Sequence, residues 1–160
     1  MSGYTIYRLV TRPVSVNTYL LYYRNSVAAI DPGGDYERII AEINKSRCTL
    51  THILLTHGHF DHIGAVSALK EATRALCCIH FADEEMLKDP VKNLSAGFGL
   101  QASARADIIL MDGDVIDFGI GIKVIHTPGH TPGGCCFDTG EHLFTGDTIL
   151  EYDIGRTDFP

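Results

Sequence analysis

Residues 56–64 read THGHFDHIG. His57, His59, Asp61 and His62 fall within this stretch, directly after "HILLT" (His52 to Thr56), a short apolar run that reads as a buried strand. Behind it, Ile63, Val66, Leu69 and Leu76 fit one helical stripe through "IGAVSALKEATRAL". A loop at a strand end can turn closely spaced side chains toward one point. Imidazole nitrogens and a carboxylate are good ligands for zinc, iron or manganese. A lone His-x-His is usually a solvated pair, but four ligand types at a strand-to-helix junction form the pattern of a metal site.

Two later segments repeat the form of strand, glycine and ligand-type residue. "HTPGHTPGG" (His126 to Gly134) puts His130 in a Pro/Gly-rich turn after the strand "IKVIH". "FTGDT" (Phe144 to Thr148) puts Asp147 beside Gly146 after the strand "HLFT". Three such strand ends can converge on one sheet edge.

The rest of the chain agrees with a layered α+β domain over residues 1–160. Strands are expected at Tyr4–Val10, Asn17–Tyr23 and Val27–Asp31, and again through the last third. Asp35 is positioned to cap a helix whose Ile39, Ile40 and Ile43 share a face. "ADEEMLK" (Ala82 to Lys88) reads as a short helix with acids in its first turn. Val91 to Arg105, weakly patterned, reads as a mobile loop. His52, His80, His126 and His142 lie in or beside strands and read as structural.

The chain carries 13 Lys+Arg against 20 Asp+Glu, a net charge of −7, which argues against a nucleic-acid partner. No apolar run reaches transmembrane length and no signal peptide stands out, so the expectation is a cytoplasmic protein with no membrane partner. The five cysteines include the adjacent pairs Cys77–Cys78 and Cys135–Cys136. Neighbours on a strand point to opposite faces, so these read as buried, reduced residues rather than a zinc site.

"THGHFDH", "GHT" and "GDT", in this order, resemble the metallo-β-lactamase fold superfamily, and "AAIDPGG" resembles another of its motifs. "GDTILEYDIGRTDFP" (Gly146 to Pro160) is most similar to the glyoxalase II-like, or hydroxyacylglutathione hydrolase-like, subgroup. The resemblance implies a four-layer αβ/βα sandwich. It implies up to two metals, zinc first, with iron or manganese as alternatives. His57, His59 and His130 would hold the first metal, Asp61 and His62 the second, and Asp147 would bridge them. The implied chemistry is attack of a metal-generated hydroxide on a small thioester or ester, with Asp61 as both ligand and catalytic base. Asp31 either orients a ligand histidine or only shapes the turn before Pro32. Arg156 and Asp158 either brace the site or form a surface ion pair.

The sequence also departs from the family pattern. A further histidine, in a "PGHG"-like turn after "GRTD", has no counterpart before Pro160. The expectation is a C-terminally truncated domain lacking its last strands and helix. A natural short form, or a homo-oligomer that supplies the missing edge, are the alternatives. Two other functions stay open: a mononuclear iron persulfide dioxygenase using His57, His130 and Asp147, and an inactive metal-binding module.

Overall fold

The computed structural model describes residues 3–159. Its first sheet has six strands in sequence order: β1 (Tyr4–Thr11), β2 (Val16–Tyr23), β3 (Ser26–Ile30), β4 (Thr49–Leu54), β5 (Leu76–His80) and β6 (Ile108–Leu110). β1, β2 and β3 are antiparallel, and β3 through β6 run parallel. Parallel neighbours need crossovers. Two of these carry helices: α1 (Tyr36–Lys45) between β3 and β4, and α2 (Phe60–Ile63) with α3 (Val66–Thr73) between β4 and β5. The second sheet is antiparallel in the order β10 (Leu143–Phe144), β9 (Cys135–Asp138), β8 (Gly121–His126), β7 (Val115–Asp117).

Two apolar cores follow from strand alternation. One face of the first sheet offers Leu20, Val27, Ala29 and Ile53 to Ile39 and Ile43 of α1 and Val66 and Leu69 of α3. The other face offers Leu21, Ala28, Ile30 and Leu54 to Ile122, Val124 and Phe137 of the second sheet. Adjacent Cys77 and Cys78 divide between the two cores, as period-2 geometry requires. All five cysteines are free thiols. The layers among the described residues are therefore helix, sheet and sheet. A fourth, outer helical layer has no counterpart among them. Among the described residues no helix is long and apolar enough to cross a membrane.

Four local expectations are corrected. Asp35 stands at the N-terminus of α1 but makes no capping bond. Its backbone is left-handed (φ 51°), and its carboxylate turns instead to Arg12 and Arg38. The stripe from Ile63 to Leu76 breaks into two helices with Gly64 at the break, and Leu76 belongs to β5. "ADEEMLK" winds as a 3-10 helix (Phe81–Lys88). The segment read as a mobile loop carries a 3-10 turn (Ser95–Phe98) and is pinned by buried Asn93. The Asn93 amide donates to the carbonyls of Met86 and Ala102, its side-chain oxygen accepts from Ser95 N, and its own carbonyl accepts from Phe60 N.

Candidate metal centre

Three parallel strands deliver polar groups at their carboxyl ends, where open α/β sheets build sites. Asp31 follows β3, the histidine cluster follows β4, and Asp83 follows β5. The second sheet adds His130 from the turn after β8 and Asp147 from the turn after β10. Two overlapping groups result, each with ligand atoms within 4.8 Å of one another: His57, His59 and His130, and His57, His62 and Asp147. Asp61 lies beside the second group, its Oδ2 3.9 Å from His62 Nε2. His62 Nε2 is also 3.4 Å from Asp147 Oδ1, and His130 Nε2 is 3.3 Å from Asp147 Oδ2. The sequence therefore named six residues that the fold brings to one place. Only Asp61 falls outside the two tight groups.

Hydrogen-bond partners determine which ring nitrogens face inward. The Asp31 carboxylate accepts from Thr56 N (2.8 Å) and Thr56 Oγ1 (2.7 Å). The Thr56 hydroxyl has one hydrogen, spent on Asp31, so toward His57 Nδ1 (3.2 Å) it can only accept. His57 Nδ1 then carries the proton and Nε2 is a bare lone pair. His130 Nδ1 donates to the carbonyl of Arg156 (2.9 Å), which likewise frees its Nε2. That Nε2 sits 3.0 Å from His59 Nδ1. His62 Nδ1 lies 3.1 Å from Asp31 Oδ2 but is not aligned for a hydrogen bond.

His57 Nε2 and both nitrogens of His62 are buried without a hydrogen-bond partner. Buried polar atoms are normally satisfied, so three orphans in one cluster are what a bound cation would resolve. Charge state agrees. Burial, reinforced by neighbouring imidazoles, holds His57 well below the usual histidine range and brings His59 down to about 4. Both are neutral, as metal ligands must be. For His62 burial acts downward, but the carboxylates of Asp31, Asp147 and Asp61 outweigh it and carry the ring to about 10. An imidazolium there marks a place that attracts positive charge, and a metal would replace its proton. The donor set, histidine nitrogens with two carboxylates, suits zinc, iron or manganese.

The supporting residues differ from expectation in part. Asp31 does more than shape a turn, since it ties the residue before His57 and faces His62. The Arg156 and Asp158 side chains form an exposed two-pronged ion pair (2.6 and 2.9 Å) and touch no ligand. The "GRTD" turn acts through the Arg156 carbonyl and through Phe159. The Phe159 ring packs edge-on against His59 and His130 and carries the Arg156 guanidinium 4.6 Å from its centroid.

Asp83 is the residue that sequence reasoning missed. Its buried carboxylate accepts from Gly58 N (3.0 Å), Thr131 Oγ1 (2.7 Å) and Gly133 N (2.6 Å), joining the loop of His57 and His59 to the loop of His130. Its position just past a parallel strand was the available signal. Gly146 also has a local reason: its φ is +49°, and a Cβ there would overlap the Thr56 side chain. His52 packs on Phe118, His80 stacks on His126, and His142 bonds Tyr4, so all four stay outside the cluster.

A cavity of about 590 Å³ opens beside the cluster, lined by Tyr19, Asp61, His62 and Asp147 among others. The side chain of His62 is 3% exposed, against 19% for Asp61 and 31% for Asp147. The carboxylates face the cavity and the imidazole lies behind them.

Comparison with known proteins identifies the family. The model of the metallo-beta-lactamase superfamily matches residues 11–160. The chain is 36% identical to hydroxyacylglutathione hydrolase GloC of Haemophilus influenzae, over 84% of this chain and 66% of that one. It is 32% identical to the probable metallo-hydrolase YqgX of Bacillus subtilis, over 94% of this chain and 74% of that one. Among solved structures, BLEG-1 B3 metallo-beta-lactamase superposes with a TM-score of 0.91 at 34% identity, covering 98% of this chain and 78% of that one. TTHA1623 in a di-iron-bound form gives 0.84 at 31%, covering 96% and 78%. ETHE1 from Myxococcus xanthus gives 0.77 at 29%, covering 97% and 62%. The chain belongs to the metallo-beta-lactamase superfamily, in the part of it that resembles glyoxalase II.

Proposed function

We propose that this protein is a metal-dependent hydrolase of a small thioester or ester, of the hydroxyacylglutathione-hydrolase type, working in the cytoplasm. The observation that carries the reading is the pair of overlapping ligand groups with three orphaned imidazole nitrogens between them. The 36% identity to a relative named as a hydroxyacylglutathione hydrolase supports the substrate class. His57, His59 and His130 would hold one metal, Asp61 and His62 a second, and Asp147 both. Zinc is the first expectation, and one structural relative is described as di-iron-bound. When bound, such a metal supplies a hydroxide at neutral pH and polarises the substrate carbonyl.

The chain's own groups do the rest. Asp61 faces the cavity, where its carboxylate accepts a hydrogen bond from the attacking water and takes its proton. Burial holds the Asp61 carboxyl above the usual range, which favours that proton transfer. The proton then passes to the departing sulfur or oxygen, so the carboxylate is restored for the next turnover. Asp31, through Thr56, and the Arg156 carbonyl keep the ligand imidazoles in the required tautomer. Cys135 lies close by, but burial pushes its thiol far up, so it stays protonated and is no nucleophile.

The test is hydrolysis of S-lactoylglutathione by protein loaded separately with zinc, iron or manganese, with metal content measured on the same samples. Loss of the thioester absorbance with at least one metal is expected. No turnover of any thioester with all three metals would overturn the reading. One iron per chain with oxygen consumption on a persulfide would replace it with a dioxygenase.

A further inference from the structure

We propose that Arg8 binds a carboxylate of the substrate, so that the site selects an anionic thioester or ester over its neutral analogue. The inference rests on the hydrolase reading and names the residue that would read the charge of its substrate. Arg8 lies on β1 opposite Tyr19 of β2. Alternation puts it on the face from which Tyr4 and Ile6 pack against the core between the sheets. Arg8 lies beyond that contact and lines the same cavity as Asp61, His62 and Asp147. The wall beside it is firm, because Tyr19 is held edge-on against Phe144 at 5.2 Å.

Charge makes the case. Arg8 is the one lysine or arginine among the described residues lining the cavity, whose other charged groups include Asp61, Asp147 and Glu151. None of these acids holds it. Every arginine or lysine ion pair among the described residues involves other side chains. A guanidinium offers a fixed fork of donors that matches a carboxylate, and this exposed side chain lines the cavity without an ion-pair partner among the described residues. Edge strands often carry a charge simply to block pairing with another sheet, and β1 is an edge. The experiment separates that role from binding.

Two probe pairs are used on zinc-loaded protein. Binding is measured by calorimetry with 3-(methylthio)propanoate and its amide. Hydrolysis is measured with S-acetyl-3-mercaptopropanoate and its amide. The expected result is a preference of about tenfold for the carboxylate in Kd and KM, the scale of one charge-assisted hydrogen-bonded pair. Arg8→Gln should bring both ratios close to one, and Arg8→Lys should keep part of them. Arg47→Gln, which removes an equal charge from an exposed position after α1, should keep the full ratio. No preference in the unaltered protein, or an unchanged preference in Arg8→Gln, would overturn the proposal in favour of the edge role. A binding preference lost in Arg8→Gln, with no thioester hydrolysed by zinc-, iron- or manganese-loaded protein, would sustain Arg8 and sink the hydrolase reading. Hydrolysis without preference would do the reverse.

Discussion

Replacing Asp83 by asparagine tests whether one carboxylate holds two ligand loops together. Oδ2 accepts from Gly58 N and Thr131 Oγ1, and Oδ1 accepts from Gly133 N. An asparagine has one acceptor oxygen. In its better orientation it keeps the two bonds at Oδ2 and turns its amino group toward Gly133 N, so two donors meet at what was a 2.6 Å bond. A buried donor left unsatisfied costs about 1–3 kcal/mol, and the loss of charge weakens the two bonds that remain. A destabilisation of about 3 kcal/mol is expected in urea unfolding of the metal-free protein. Loosening both loops should also weaken metal binding, and the loss of a group supporting a metal ligand is worth about 10–100-fold in affinity. Competition with a chromogenic chelator measures this. An Asp83→Asn protein with the original urea midpoint and metal affinity within about twofold would refute the bracing role.

Other perturbations give separate checks. The Asp35 carboxyl is drawn down to about 2, chiefly by its hydrogen bond from Arg12. Its folded-state value lies below its unfolded one, so its contribution is complete above about pH 4 and is lost as pH falls toward 2. Arg12 is largely exposed, so solvent screening limits the contribution to about 1 kcal/mol, and Asp35→Asn should flatten the acid limb of the stability curve by that amount. Thr56→Val removes a hydroxyl that Asp31 and His57 both use, and should cost about 1–3 kcal/mol in urea unfolding, together with some zinc affinity. Gly146→Ala should misplace Asp147, because the new methyl meets Thr56 in a left-handed conformation; a drop in the amount of metal bound per chain is the readout. Chelation of metal from loaded protein should lower Tm, since metal held at 100 times its Kd stabilises by about 2.7 kcal/mol.

The parts of the site that were legible in sequence were those with local signatures. His57, His59, Asp61 and His62 sit in one loop, and His130 and Asp147 each follow a strand and a glycine. What was not legible depends on contacts between distant segments. Asp83 looks like a first-turn acid until β5 places it against Gly58 and Gly133. Asp35 has the sequence of a helix cap, but Arg12 and Arg38 claim its carboxylate. Leu76 kept the helical period and was still taken by β5, because its backbone pairs with β4. Arg156 and Asp158 were read for their side chains, whereas the structure uses a carbonyl and the neighbouring Phe159.

The meeting of His59 and His130 joins positions 71 residues apart, one from each sheet. During synthesis the histidines of the first loop emerge long before the turn that carries His130. A metal ion encountering the young chain finds only a partial, weakly held set of donors, and the full grip arises once the second sheet has docked. Contacts at such range are slow to form, because a long loop must close before anything rewards it. The group of His57, His59 and His130 is therefore complete only after the second sheet has docked. The geometry thus makes a complete donor set a property of the docked sheets and of neither loop alone.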